Sequence, residues 1–392
     1  MPAKDRQRLD RPSLLGRVTV RELREGLEIE TNSYVGVLPL TEFTLHITPR
    51  IGPHDLMQMV DYCFDVGKVH MSADMGAVHA DTSLATTDLL VLAFLSEVQC
   101  LLTAGLFREY VEQAHDLQTV RGRIQFSELA SRPRLGMTLP CRYEDLSGDT
   151  FLNQLLLAAV RIAADCASSF RLKQYARRIE EQMSQVCSPI SVTGSSFATA
   201  ISGLTRLNRR YHKALELGWL LYDSVIPDQS GSKVRSFTGF LVDMNRLYER
   251  FAGRLLEEFC PPGMTVVFQR SIKSLFRTRE RQYKYGRPDF MLMDSECRCV
   301  CVVDAKYKFL DECYVDSGDL YQLTVYGLAT GSRKAIALYP GRSGHSRQFD
   351  FQGLDVKSTV VFRSLDMAKV WQVLSSEDRV AEGQRMVAEL LA

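Results

Sequence analysis

Short apolar stretches separated by turn signals run from Val18 to Ile51: Val18-Thr19-Val20, Tyr34-Val35-Gly36-Val37-Leu38 and Phe43-Thr44-Leu45-His46-Ile47. This spacing predicts a β-rich module over residues 1–55. Its charged, proline-containing start, residues 1–12, predicts a loose tail. The period then lengthens. Residues 89–110 and 151–170 carry apolar positions at helical spacing, so residues 56–225 read as a mainly helical middle. Pro227 to Lys233, with Asp228, Ser230, Gly231 and Ser232, predicts a linker or mobile loop. Residues 236–392 mix both periods. Phe240, Met244, Leu247, Tyr248, Phe251, Leu255 and Phe259 form one helical stripe over 240–259. Residues 290–293, 299–306, 334–339 and 358–362 read as strands, and 319–328 as a helix. The fold class expected is α+β, multidomain.

One of those strands carries charge where a core strand should not. Cys299-Val300-Cys301-Val302-Val303-Asp304-Ala305-Lys306 is nearly all apolar, the pattern of a strand buried on both faces. Asp304 and Lys306 fall on one side of it. Burying a carboxylate and an ammonium is costly unless they act together. The preceding strand is introduced by Gly286-Arg287-Pro288-Asp289, and Asp294-Ser295-Glu296 joins the two as a hairpin. That hairpin brings Asp289 and Asp304 to one end of adjacent strands. Pro-Asp, a spacer, then Asp-x-Lys is the form of a Mg2+-dependent nuclease site, with Asp289, Asp304 and the Ala305 carbonyl as metal ligands and Lys306 orienting the attacking water. The alternative at this point is an ordinary ion pair at a strand end.

Glu249, at the edge of the 240–259 stripe, is a candidate third carboxylate or a solvated flank residue. Gln322 and Tyr326 lie one turn apart, placed either to orient Lys306 or hold a DNA phosphate, or forming a plain polar face. Arg277, Arg279, Arg281, Lys284 and Arg287 cluster before Asp289, and Lys308 is expected on the same strand face as Asp304 and Lys306, in reach of the DNA backbone. Arg287, Lys308 and Tyr326 are the candidate nucleic-acid contacts.

Composition narrows the picture less. Hydrophobic content of 45% and charged content of 24% are those of a globular protein. The net charge of +1 supplies no global field to hold DNA. Cys297, Cys299 and Cys301 alternate on one strand face, too close to wrap a tetrahedral zinc, and no Cys-x-x-Cys occurs, so they are expected to be small core hydrophobes. A polar start and no apolar run near eighteen residues lead to the expectation of a cytoplasmic protein without a signal peptide or membrane span. No Gly-x-x-x-x-Gly-Lys-[Ser/Thr] occurs anywhere in the sequence, so the chain is not expected to hydrolyse nucleotides.

From about residue 30 to 365 the chain resembles the McrC family, nuclease subunits of McrBC modification-dependent restriction systems. The landmarks are Asn32-Ser33-Tyr34-Val35-Gly36-Val37, Ile47-Thr48-Pro49-Arg50-Ile51-Gly52, Val120-Arg121-Gly122-Arg123-Ile124, Asp149-Thr150-Phe151-Leu152-Asn153 and the stretch from Asp243 to Phe251. Arg287-Pro288-Asp289 and Asp304-Ala305-Lys306-Tyr307 complete the series. The resemblance implies a C-terminal PD-(D/E)XK (restriction-endonuclease-like) α/β domain over 236–392. It also implies cleavage of double-stranded DNA carrying modified cytosine, and an AAA+ GTPase hexamer of the McrB kind docked by the N-terminal module. Two other functions stay open: a non-catalytic adaptor of such a GTPase, and a free-standing DNA-repair nuclease.

Overall fold

The first residues form a helix, α1 (Ala3–Leu9), where the sequence predicts a loose tail. Asp5 supplies the reason. It is buried, and its carboxylate accepts the Thr41 backbone N–H at 3.0 Å and the Thr41 hydroxyl at 2.9 Å. The computed structural model describes residues 2–10, 14–64, 86–131, 137–227, 237–277, 282–308, 310, 315–342, 344–352 and 358–392. Most of the predicted linker, and both Arg279 and Arg281, lie outside them. The architecture is mixed α and β, with several sheets.

After α1 come β1 (Val18–Leu23), β2 (Gly26–Thr31), β3 (Tyr34–Pro39), β4 (Thr44–Ile47) and α2 (Pro53–Phe64). Pro53 at the first helical position costs no hydrogen bond, and Asp55 accepts the Gly52 N–H at 3.2 Å. Two compact units emerge: residues 1–67 together with 238–392, and residues 68–237. The contacts therefore group the β-rich start with the C-terminal region, and do not leave it as a module of its own.

The unit of residues 68–237 holds α3 (Thr86–Thr103), β5 (Glu109–Leu117), β6 (Arg123–Ile124), α4 (Phe126–Ala130), β7 (Leu139–Ser147), α5 (Phe151–Cys166), α6 (Phe170–Ser184), α7 (Gly194–Ser202), α8 (His212–Ser224) and β8 (Val225–Pro227). Beside its helices it holds an antiparallel sheet of order β5-β7-β6. The helix expected to reach Tyr110 stops at Thr103, followed by Gly105 at φ +83°, a left-handed conformation that suits glycine. Asn153 is fully buried and satisfied: its amide donates to Phe107 O and Gly148 O, both at 2.8 Å, and accepts from Tyr211 at 2.7 Å.

The chain re-enters the first unit through β9 (Phe237–Asp243) and α9 (Met244–Glu258). Residues 240–242 were expected to be helical. They form a strand, because three apolar residues in a row fit either period and β3 offers a partner: Val35 pairs Val242, and Gly36 pairs Leu241. A Cβ on Gly36 would lie 2.0 Å from the Phe240 carbonyl oxygen, so only glycine permits this pairing. Asp243 then starts the helix by accepting the Asn245 N–H at 3.0 Å and the Arg246 N–H at 3.4 Å.

The rest comprises β10 (Thr265–Phe268), β11 (Ile272–Arg277), β12 (Gln282–Gly286), β13 (Phe290–Met293), β14 (Cys299–Ala305), α10 (Ser317–Thr330), β15 (Lys334–Gly341), β16 (Ser346–Asp350), β17 (Thr359–Asp366), α11 (Met367–Leu374) and α12 (Arg379–Leu391). Six of the strands form one sheet of order β10-β13-β14-β15-β17-β16, with β14, β15 and β17 parallel to one another. Helix α10 lays Leu323 and Tyr326 on the face made by Val302, Ala335, Ala337, Tyr339, Val360 and Phe362. Val303 and Phe290 alternate to the other face, and Phe290 meets α9 at Gly253.

Candidate active site

The site begins with the β13–β14 hairpin. Asp294 closes its turn, accepting the N–H groups of Glu296 at 2.9 Å and Arg298 at 2.8 Å. The strands pair with Phe290 opposite Val303. That register puts Asp289 opposite Asp304 at the open end, and Asp289 Oδ2 accepts the Ala305 N–H at 2.8 Å. Gly286 allows the approach to β13, because a Cβ there would meet the Tyr326 ring at 2.9 Å.

A cleft of about 430 Å³ opens at this end. Glu249 from α9, Arg287 and Asp289 from one chain segment, Asp304 and Lys306 from the next, and Asp319 and Gln322 from α10 all line it. Asp316 caps the start of α10 by accepting the Gly318 N–H at 2.7 Å. Asp319 and Gln322 then fall one turn apart on one face, with Tyr326 a further turn along.

Lys306 is the hub. Its Nζ lies 2.7 Å from Asp304 Oδ2 and 3.7 Å from Asp319 Oδ1, and donates to Gln322 Oε1 at 3.2 Å. Gln322 Nε2 donates to the Tyr326 hydroxyl at 3.0 Å, which also accepts the Arg287 N–H at 3.4 Å. Burial works against the Lys306 charge, but Asp304, Asp319 and Asp289 outweigh it and raise its pKa. Asp289 goes the other way. Burial first, then the charges of Asp304 and Glu249, raise its carboxyl to about 7, against the pull of the Ala305 N–H and Lys306. Two facing carboxylates and one ammonium leave excess negative charge in a partly buried cleft.

That excess, presented entirely by oxygen, is the donor chemistry of a hard divalent cation. Among the described residues no three His, Cys, Asp or Glu side chains converge closely enough to hold a metal alone. Glu249 thus acts on Asp289 through its field without joining a three-carboxylate cluster. An ion that keeps several of its waters needs only one or two carboxylates.

Residues 29–340 match the family described as McrBC 5-methylcytosine restriction system component. The chain belongs to this family. Among solved structures, a chain of the refined half-complex from the tetradecameric assembly of Thermococcus gammatolerans McrB AAA+ hexamers with bound McrC is 20% identical, at a TM-score of 0.57, over 98% of this chain and 91% of that one. A chain of the Thermococcus gammatolerans McrBC complex is 23% identical over 64% of this chain and 76% of that one, at a TM-score of 0.43. The first likeness is one of fold. No curated protein matches the chain.

In this McrBC-family chain the structure gathers Asp289, Asp304, Ala305, Lys306, Glu249, Gln322, Arg287 and Lys308 around one cleft. Lys308 lies beyond the end of β14, not on the strand face, and its Nζ is held by Asp319 Oδ2 at 2.6 Å and Asp316 Oδ2 at 3.2 Å. Tyr326, expected among the nucleic-acid contacts, is mostly buried behind Gln322 with its hydroxyl engaged, so it braces the site from inside. Arg277 lies on β11 and Lys284 on β12. Of the three alternating cysteines Cys301 is buried, Cys299 half-buried, and Cys297 exposed in the turn at φ +60°, where the Asp294 cap turns it out of the strand. Sequence reasoning passed over Asp319, whose carboxylate receives Lys306, Lys308 and the Tyr339 hydroxyl at 3.0 Å. Its one signal was its place a turn before Gln322. Among the described residues no helix is long and apolar enough to cross a membrane.

Proposed function

We propose that this chain is the nuclease subunit, of the McrC kind, in a McrBC-type restriction system, with a PD-(D/E)XK site that hydrolyses DNA phosphodiesters. The observation that carries this is the convergence of Asp289, Asp304 and Lys306, from two paired strand ends, on one open polar cleft. No phosphate-binding loop occurs in these 392 residues, which sets the chain apart from a GTP-hydrolysing subunit. The family description points to DNA containing 5-methylcytosine as substrate. The likeness to a chain of an assembly of AAA+ hexamers supports an McrB-like GTPase hexamer as partner.

Asp289 and Asp304, with the Ala305 carbonyl, would hold Mg2+, which supplies Lewis-acid stabilisation of charge on the scissile phosphate. The chain's own residues do the rest. Lys306, kept charged by Asp304 and Asp319, orients the attacking water and offsets charge on the phosphate. Gln322, braced by Tyr326, fixes the direction of the Lys306 ammonium. Arg287 at the cleft rim meets the DNA backbone. Lys308, held by Asp319, adds positive charge at the same end.

A chain with almost no net charge and no motor should be a poor enzyme alone. The test is cleavage of methylated DNA by the purified chain, alone and with its cognate GTPase, GTP and Mg2+. Weak cutting alone and robust cutting in the complex support the reading. Efficient GTP-independent cutting of unmodified DNA by the chain alone would replace it with a free-standing nuclease.

A further inference from the structure

Gln269 sits between two opposite charges that line the same cleft. Its Nε2 donates to Glu249 Oε1 at 2.5 Å, and its Oε1 accepts from Arg287 Nη2 at 2.6 Å. Arg287 Nε also donates to the Gln269 carbonyl at 3.1 Å. The Gln269 N–H in turn donates to the Asp289 carbonyl at 2.8 Å, which fixes the residue to the start of β13. The backbone is unusual here. Gln269 has φ +43°, a left-handed conformation that a non-glycine residue adopts at a cost. It lies just past the end of β10, which stops at Phe268. In this conformation the side-chain amide meets two different partners, with its donor end on Glu249 and its acceptor end on Arg287.

A guanidinium and a carboxylate on the rim of one cleft otherwise tend to pair with each other. That pairing would remove Glu249 from the negative field around Asp289 and withdraw Arg287 from a phosphate. An amide is neutral, with a donor at one end and an acceptor at the other, so it satisfies both groups without neutralising either. We infer that Gln269 is a positioning residue that insulates Arg287 from Glu249, keeping the carboxylate for the metal end of the cleft and the guanidinium for DNA. This rests on the nuclease reading.

The test uses the full chain and measures Mg2+ binding by calorimetry, with cleavage in the complete GTP-driven complex as a second readout. Gln269→Gly removes the amide while suiting the left-handed backbone, so it separates the bridge from the strain. It should weaken Mg2+ binding severalfold, because Arg287 is then free to neutralise part of the negative field that Glu249 adds at Asp289, and raise the DNA concentration needed for half-maximal cleavage. Glu249→Gln should weaken Mg2+ binding on its own. The double variant should be little worse than Glu249→Gln, because both changes act through one carboxylate. A residue that merely shapes the loop would lower thermal stability, leave Mg2+ affinity unchanged and give additive effects. Unchanged Mg2+ affinity in Gln269→Gly, or additivity in the double variant, would overturn the inference while the wild-type chain still bound Mg2+ and cut. A wild-type chain that neither binds Mg2+ nor cuts would overturn the nuclease reading and this inference with it.

Discussion

Lys306 Nζ lies 2.7 Å from Asp304 Oδ2, two residues along the same strand end, and also donates to Gln322 at 3.2 Å. In the proposed nuclease an ammonium so held would be a fixed positive charge beside the reacting phosphate, and its worth should appear in the transition state more than in binding. Lys306→Ala should lower the cleavage rate about 10²–10³-fold, the usual cost of removing one preorganised charge or donor. Gln322→Ala should give a smaller loss, since the lysine stays but swings. Equal rates for wild type and Lys306→Ala in single-turnover cleavage would exclude this role.

Asp289 predicts a pH effect in the metal-free chain. Its carboxyl is raised from 3.8 to about 7, so its protonated form is favoured by folding. The contribution is fully present below the unfolded pKa and is lost as pH rises through the folded one. The metal-free chain should therefore lose stability between about pH 4 and pH 7, by on the order of a few kcal/mol at roughly 1.4 kcal/mol per pKa unit. Asp289→Asn cannot ionise, and its amide oxygen can still accept the Ala305 N–H. Melting in a chelator at pH 5 and pH 8 should show the variant gaining on wild type at pH 8. Parallel pH dependence would contradict this.

Asp319 gathers two lysines and the Tyr339 hydroxyl in a buried place. Asp319→Ala takes the acceptor from the buried Tyr339 hydroxyl and leaves Lys306 to Asp304 and Gln322, and Lys308 to Asp316; it should cost about 1–3 kcal/mol, typical of leaving a buried polar group unsatisfied. Asp319→Asn keeps the Tyr339 hydrogen bond and should cost less. It should still slow cleavage, because Lys306 and Lys308 lose a shared anchor. Chemical denaturation, paired with single-turnover rates, separates the two effects. A fully active Asp319→Asn would remove Asp319 from the site.

The hairpin and its charges were legible because everything that sets them is local: the alternation in residues 299–306, the Asp294 turn, the spacing of Asp289 and Asp304. The sheet of β5, β6 and β7 was not. Nearly every residue of β5 is exposed, so it has no apolar alternation to read. Residues 240–242 fit both periods, and only pairing with β3 decides between them. Asp319 and Gln269 were invisible for a related reason. Each reaches the cleft through tertiary placement, and a lone polar residue in a helix start or a loop leaves no periodic trace.

The cysteines test the reading of β14 as a packed core strand. Cys301 is buried and its thiol is raised by burial to about 12, which keeps it neutral and inert. Replacing Cys299 and Cys301 with Val or Ala should shift stability by about 1–2 kcal/mol and leave metal content unchanged. Stoichiometric zinc in the purified chain, lost on these changes, would reveal a metal site of a different kind.

The central claim is tested most directly by Asp304→Asn, which keeps the shape of the side chain and removes its charge. The measurement is GTP hydrolysis and cleavage of methylated DNA in one reaction containing the chain, its cognate GTPase, GTP and Mg2+. The account predicts that the variant supports GTP hydrolysis at the wild-type rate and cuts no DNA. Wild-type cleavage by Asp304→Asn would contradict the assigned site, and absence of cleavage from the wild-type complex would favour a non-catalytic adaptor.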